Sequence, residues 1–229
     1  MPVFQLDENE IWFPNPYLGE EDGLIAIGGD LSPERLFLAY SHGFFPWFSF
    51  RDNPEPVWYC PLERFVIFPG EIHISHSLRT QLNKDRYIFT INKAFEHVIR
   101  ACALADGRID KEGAWLGPDI IEAYTQMYML GLAKSVEVWQ RTSTEPHAPL
   151  TLAGGLYGIQ MKNAFFGESM FSNVPGGSKM ALVHLARTAL KKGWRFIDCQ
   201  FETPHLKSMG GRHIPYDEYM EILGLNRNY

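Results

Sequence analysis

The chain is poor in the devices that small secreted or metal-dependent domains rely on. Its 229 residues hold three cysteines, Cys60, Cys102 and Cys199, far apart and without CxxC or Cys/His knuckle spacing. An odd, scattered set argues against a disulfide framework and against structural zinc, and it fits a reducing compartment. No apolar run approaches the roughly 20 residues that cross a bilayer. The opening MPVFQLDENEIWFP is acidic where a secretory leader is basic, so a cytoplasmic protein without membrane attachment is expected. Positive charge is scarce as well. The 21 basic residues against 27 acidic ones give −6, which excludes a coat for nucleic acid held by bulk charge but leaves room for a local basic strip. Gly28-Gly29-Asp30 has no GxxxxGK[ST] or GxGxxG pattern around it and reads as a tight turn, not a phosphate cradle. Internal repeats and low-complexity tracts are absent.

What is present has globular proportions, 45% hydrophobic and 21% charged. A chain of this length buries roughly 70% of its unfolded surface, so it needs neither disulfide nor metal to fold. Ser32-Pro33-Glu34 starts a helix with Leu36, Ala39 and Tyr40 on one face and Gly43 as its stop. The proline-punctuated stretch from Pro54 to Pro61 marks a boundary between a small N-terminal domain, 1–62, and a main domain, 63–229. Helical spacing follows near Ser77 to Asn83. It recurs after a cap at Asn92, with Phe95, Val98, Ile99 and Cys102 on one face, and again from Pro118 through Ile121, Tyr124 and Tyr128 to Gly131. The period then switches to two. Ser135–Gln140 reads as a strand, and Leu150–Gln160 and Ala164–Ser169 as a hairpin turning on Met161-Lys162-Asn163. An amphipathic helix spans Lys179–Lys191, a strand Trp194–Phe201, a short helical piece TPHLKSMG, and a last helical pattern Tyr216–Leu223. A helix crossing between strands predicts an α/β (α+β) fold.

Chemistry concentrates in two segments. In Phe196-Ile197-Asp198-Cys199-Gln200, strand alternation puts Asp198 and Gln200 on one face and Ile197, Cys199 and Phe201 on the other, which makes Cys199 a small core residue, not a nucleophile. In Phe165-Phe166-Gly167-Glu168-Ser169-Met170, a carboxylate follows a glycine that permits close approach, and the loop Asn173–Ser178 feeds a helix N-terminus. Ser169 and Ser172 have no His/Asp companions in a triad order, and His73 and His76 lack a third ligand, so neither serine hydrolysis nor a metal is expected. Arg187, Lys191, Lys192 and Arg195 cluster on and just after one helix as the candidate basic strip.

Taken jointly and in order, GGDLSPERLFLAY, FFPWF, VEVW, GGLYG, FFGESMFS and FIDCQ make the chain resemble the bacterial leucyl/phenylalanyl-tRNA-protein transferases from near Phe13 to about Tyr219. The resemblance implies a small N-terminal domain joined to a larger acetyltransferase-like (GNAT-like) domain. It implies transfer of Leu or Phe, with Met a further candidate, from aminoacyl-tRNA to proteins beginning with Arg or Lys, marking them for degradation. Residue by residue, Asp198 and Gln200 stand at the family's catalytic pair and Glu168 at its active-site glutamate. Trp47 and Trp115 match the tryptophans that shape the substrate site. Leu156, Met170, Leu182 and Ile197 match the apolar pocket, with Phe165 and Ser178 beside them as substrate-binding positions. Arg187, Lys191 and Lys192 become the expected tRNA contacts. Departures occur at Gly113-Ala114-Trp115-Leu116, Ser75-His76-Ser77, Gly177-Ser178-Lys179 and Ile214-Pro215-Tyr216, none of them at the catalytic pair. No cofactor is implied, because an aminoacyl ester already stores the energy of a peptide bond; the protein must orient two substrates and manage one proton. Gln200 oriented by Asp198, or the terminal ribose hydroxyl, can favour loss of that proton. Two alternatives stand beside this reading. An acyl-CoA N-acetyltransferase on the same fold is disfavoured by the proline and the missing leading Arg or Gln in Asn173–Ser178. A non-catalytic module binding aminoacyl-tRNA or peptide N-termini is disfavoured by the Asp198, Gln200 and Glu168 set.

Overall fold

The computed structural model describes residues 3–47, 55–105, 117–145 and 147–224. The N-terminal part forms β1 (Phe4–Leu6), β2 (Leu24–Gly28), α1 (Pro33–Ser41), β3 (Phe45–Trp47) and β4 (Val57–Tyr59), with the strands joined as one sheet in the order β1-β2-β4-β3. Ser32 caps α1 as expected, accepting the Arg35 N–H, and Leu36, Ala39 and Tyr40 are buried on its inner face. Gly28 and Gly29 have φ of 88° and 72°, so the glycine pair is the tight turn its sequence suggests.

The second sheet has seven strands. It comprises β5 (Glu63–Ile67), β6 (Tyr87–Ile91), β7 (Ala133–Arg141), β8 (Leu150–Met161), β9 (Ala164–Ser172), β10 (Phe196–Asp198) and β11 (Arg212–Pro215), in the order β11-β5-β10-β9-β8-β7-β6. Around it lie α2 (His76–Leu82), α3 (Phe95–Leu104), α4 (Pro118–Met129), α5 (Gly177–Lys192), α6 (Pro204–Ser208) and α7 (Tyr216–Leu223). The sheet is mixed: β9 and β10 run parallel with α5 crossing between them, while β7-β8-β9 form an antiparallel meander. One core of buried residues runs from Leu6 and Trp58 of the first sheet and Tyr40 of α1 to Tyr157 and Phe166 of the second sheet and Tyr219 of α7, so the two sheets share their packing. A smaller core lies on the α5 side.

Several expectations are corrected. Neither β5 nor β6 was legible, and Trp194–Phe201 shrinks to a three-residue strand. The helix after Asn92 starts at Phe95 with Ala94 as its cap residue; Asn92 sits at φ 57° and its side chain accepts from Ser135 N–H instead. Glu137 of the neighbouring strand supplies the acceptor for the Lys93 and Ala94 N–H groups that a capping side chain would otherwise serve. On α4 Tyr124 is buried as expected, together with Ile120, Ala123 and Met127, while Ile121 and Tyr128 are partly buried against the same core. Among the described residues no helix is long and apolar enough to cross a membrane.

Candidate active site

The site arises where two parallel strands part. Pairing of β10 with β9 ends at Asp198 opposite Phe166, and beyond that point β9 continues with β8 alone. The wedge between them opens into a cleft of about 850 Å³. The N-terminus of α5 closes one side. Gly154 of β8 makes this possible, because a Cβ there would lie 2.6 Å from the Gly177 carbonyl carbon, so strand and helix meet backbone to backbone. The cap residue of α5, Gly176, has no side chain for the task, and Ser172 at the end of β9 does it instead, accepting from the Ser178 N–H at 2.8 Å.

Two backbone irregularities aim the polar groups. In the β8–β9 ladder Tyr157 pairs with Ser169 and Gly158 with Gly167, which leaves Glu168 as the extra residue of a β-bulge. Such bulges re-aim a side chain at a sheet's working edge. Across the wedge, Gln200 has φ 59°. A left-handed conformation in a residue other than glycine costs about 1–3 kcal/mol and needs surroundings that impose it. Here the Gln200 N–H donates to Asp198 Oδ1 at 2.9 Å, and its carbonyl accepts from Phe65 N–H at 3.2 Å. As a result Gln200 Nε2 stands 3.4 Å from Glu168 Oε1.

The two carboxylates differ in their surroundings. Glu168 accepts from the Tyr40 and Tyr124 hydroxyls at 2.7 and 2.9 Å, and the two phenol oxygens lie side by side. Burial pushes its pKa up to about 7, against the opposing pull of the two phenols, with nearby Asp198 adding to the rise. Asp198 is wholly buried and receives the Arg64 guanidinium in a fork, Nε to Oδ1 at 2.9 Å and Nη2 to Oδ2 at 2.8 Å, together with the Tyr219 hydroxyl at 2.9 Å. For Arg64, burial opposes the charge and Asp198 more than restores it, so its pKa stands above the usual value.

Of the sequence-predicted positions, Trp47, Leu156, Glu168, Met170, Ser178, Leu182, Ile197, Asp198 and Gln200 all line this one cleft. Trp47 is 38% exposed at its mouth and rests against Phe201, ring centroids 5.2 Å apart. Trp115 lies outside the described residues. Phe165 is a correction: it is fully buried beneath the floor, stacked on Trp194 at 5.9 Å, because β9 turns it to the α5 core one residue before the strands separate. Cys199 is another. The strand ends at Asp198, so period-two alternation does not reach residues 199 and 200, and Cys199 lines the cleft beside Gln200. Burial raises its thiol pKa, which keeps it a poor nucleophile all the same. Arg187, Lys191 and Lys192 are exposed and none of them lines the cleft. At 1.5 Å per residue they stand roughly 13–21 Å along α5 from Ser178. Sequence reasoning missed Arg64, Tyr40, Tyr124 and Tyr219. All four are buried, and only Tyr40 and Tyr124 carried a signal, as members of apolar helix faces. Among the described residues no group of three or more His, Cys, Asp or Glu could hold a metal ion.

Two family models match the chain: the leucyl/phenylalanyl-tRNA protein transferase over residues 66–224 and that protein's N-terminal domain over residues 29–62. A leucyl/phenylalanyl-tRNA–protein transferase of Desulforapulum autotrophicum is 46% identical over 96% of this chain and 91% of its own length. One of Syntrophobacter fumaroxidans is 44% identical over 99% and 92%. Among solved structures, a conserved protein of unknown function from Bacteroides thetaiotaomicron overlays with a TM-score of 0.46 at 8% identity, covering 87% of this chain and 65% of that one, a likeness too slight to bear on fold or function. With a family model covering most of its length and relatives this similar end to end, the chain belongs to the leucyl/phenylalanyl-tRNA protein transferase family of enzymes.

Proposed function

We propose that this protein transfers leucine or phenylalanine from the 3′ end of a charged tRNA to the α-amine of proteins beginning with Arg or Lys, creating a degradation signal in the cytoplasm. The observation that carries the reading is a cleft whose floor is aliphatic and sulfur-bearing while its wall holds one carboxylate poised near neutral pH beside an amide. Leu156, Met170, Leu182 and Ile197 receive the donor side chain. An uncharged floor accepts Leu, Phe or Met and rejects Asp, since an unpaired buried charge costs several kcal/mol against about 1–3 kcal/mol for a missing methylene. The terminal adenosine stacks at Trp47, with Trp115 as its partner, and Arg187, Lys191 and Lys192 meet phosphates further up the acceptor stem. Residues 1–62 then act as a small N-terminal domain and 63–229 as an acetyltransferase-like domain, a division supported by two separate sheets, one built from β1–β4 and the other from β5–β11. Three unbridged cysteines support a reducing, cytoplasmic setting.

In the reaction the neutral α-amine attacks the ester carbonyl, the C–N bond forms, the ester C–O bond breaks, and the amine proton ends on the ribose oxygen that leaves. An α-amine with a pKa of about 7.7–8.0 is partly neutral at pH 7, so only a modest push is needed. Gln200 accepts a hydrogen bond from it through its amide oxygen while its Nε2 leans on Glu168. No cofactor enters. Glu168 also draws the acceptor's cationic side chain, and a cation beside it favours the carboxylate over the acid. The test incubates the protein with leucyl-tRNA and a peptide starting with Arg, with acetyl-CoA as a parallel donor and an Ala-initiated peptide as a parallel acceptor. Transfer from tRNA to the Arg peptide alone is expected. Acetylation from acetyl-CoA, or equal use of both peptides, would overturn the reading.

A further inference from the structure

Asp198 has nothing left to offer a substrate. Its side chain is fully buried, and its oxygens are taken up by Arg64, by the Tyr219 hydroxyl and by the main-chain N–H of Gln200. The partners are themselves held. The Arg64 guanidinium lies over the ring of Phe45 at 4.7 Å and over that of Tyr219 at 5.0 Å, and burial together with Asp198 keeps the Tyr219 phenol protonated, a donor at every working pH. Around the pair stand three more titratable groups: Glu168 across the cleft, raised to about 7, and Cys60 and Cys199, whose thiols burial keeps neutral.

We infer that Arg64 and Tyr219 are positioning residues for the transfer reaction: through Asp198 they impose the left-handed main chain of Gln200 and so deliver its amide to Glu168 and the cleft. The inference rests on the functional reading above and reassigns Asp198 within it. The carboxylate acts on backbone conformation and is not the group that handles the amine proton. Two anchors act on one residue, since Asp198 holds the Gln200 N–H and Phe65 N–H holds its carbonyl. Only the first depends on the Arg64–Tyr219 clamp.

The experiment compares Tyr219→Phe and Arg64→Lys with the wild type in steady-state transfer across pH, each variant first shown to be folded by circular dichroism. Tyr219→Phe preserves ring and packing, so it keeps the test alive if Arg64→Lys fails to fold. The expected result is a kcat lowered roughly tenfold, the equivalent of one charge-assisted hydrogen bond, with KM for both substrates and the acid limb of the pH profile unmoved. A carboxylate that titrates in turnover and has lost a donor to its charged form would instead shift the acid limb to higher pH. That shift with an unchanged plateau, or a kcat within twofold of wild type in Tyr219→Phe, overturns the inference. If the wild type itself transfers nothing from leucyl-tRNA, the functional reading falls first and this one with it.

Discussion

Asp198 and Glu168 face one another across a single cleft, and their surroundings divide the work between them. Asp198 is matched by a buried guanidinium, a phenol and a main-chain N–H, so its charge is compensated and its geometry locked. Glu168 meets two neutral phenols and an amide, which solvate a carboxylate without neutralising it, so burial wins and the acid is pushed up to about 7. The same functional group becomes an anchor on one wall and a responsive charge on the other. Coupling between them runs through Gln200, whose backbone belongs to the first and whose amide touches the second.

The largest expected effect breaks the anchor. Arg64→Met leaves Asp198 buried and unpaired and is expected to lower folding stability by about 3–5 kcal/mol, read by urea denaturation. Asp198→Ala strands Arg64 in the same way, so its loss of transfer is accompanied by destabilisation and cannot be read as a loss of chemistry alone. A Glu168→Gln substitution behaves in the opposite sense. Because the folded-state pKa is raised from 4.5 to about 7, the folded protein holds a proton that the unfolded chain releases, and stability falls as pH rises through that window. The variant lacks this penalty. It is expected to match the wild type near pH 4.5 and to exceed it above pH 7 by up to roughly 3 kcal/mol. A wild type that gains stability relative to Glu168→Gln as pH rises through this window would undo the contrast between the two carboxylates.

On activity, Gln200→Ala is expected to lower kcat by about 10²-fold or more without unfolding, the lower range for loss of a group that handles a proton. Glu168→Gln should reduce the preference for Arg over Ala at the acceptor's first residue and remove the group titrating at about 7 from the acid limb of kcat/KM, leaving the limb of the α-amine at about 7.7–8.0. Sign matters here: as pH falls below about 7 the wild-type carboxylate takes up a proton, its pull on a cationic acceptor fades, and kcat/KM drops, whereas the glutamine variant has no charge to lose. Cys199→Ala, beside Gln200 but thiol-inert, is expected to stay within about threefold of wild type, at most about 0.7 kcal/mol.

Much of the site was legible because its signals are local. Helix caps at Ser32, the hairpin turn at Met161-Lys162-Asn163 and the apolar positions Leu156, Met170, Leu182 and Ile197 depend on neighbours a few residues away or on a motif read whole. Partners of the two carboxylates were not legible, since Arg64 lies 134 residues from Asp198, and Tyr40 lies 128 from Glu168. No periodicity announces such a pair, and Tyr40 and Tyr124 look like ordinary core on their helix faces. Alternation failed at Cys199 for a related reason. It holds only while the backbone stays extended, and the chain leaves that geometry just past the end of β10, with Gln200 at φ 59°. The short β5 was hidden because burial on both faces erases the period-two pattern, and β6 because its two faces differ little in burial.

The smallest expected effect concerns the ends of α5, which repeat the carboxylate contrast at longer range: one end lines the cleft, the other carries the exposed charges. Arg187, Lys191 and Lys192 stand roughly 13–21 Å from Ser178 along the helix, so they can meet only a donor long enough to reach past the cleft. Each phosphate neutralised in single-stranded or duplex nucleic acid adds about 0.7–0.9 to the slope of log affinity against log salt. Replacing the three by glutamine is therefore expected to raise KM for charged tRNA by several-fold and to flatten that slope by about 2, with kcat retained. Aminoacyl-adenosine, which ends where the cleft ends, should be used as by the wild type. Equal loss with the minimal donor would place the defect in folding or in the cleft, and the three cations would then be no more than a solvated helix face.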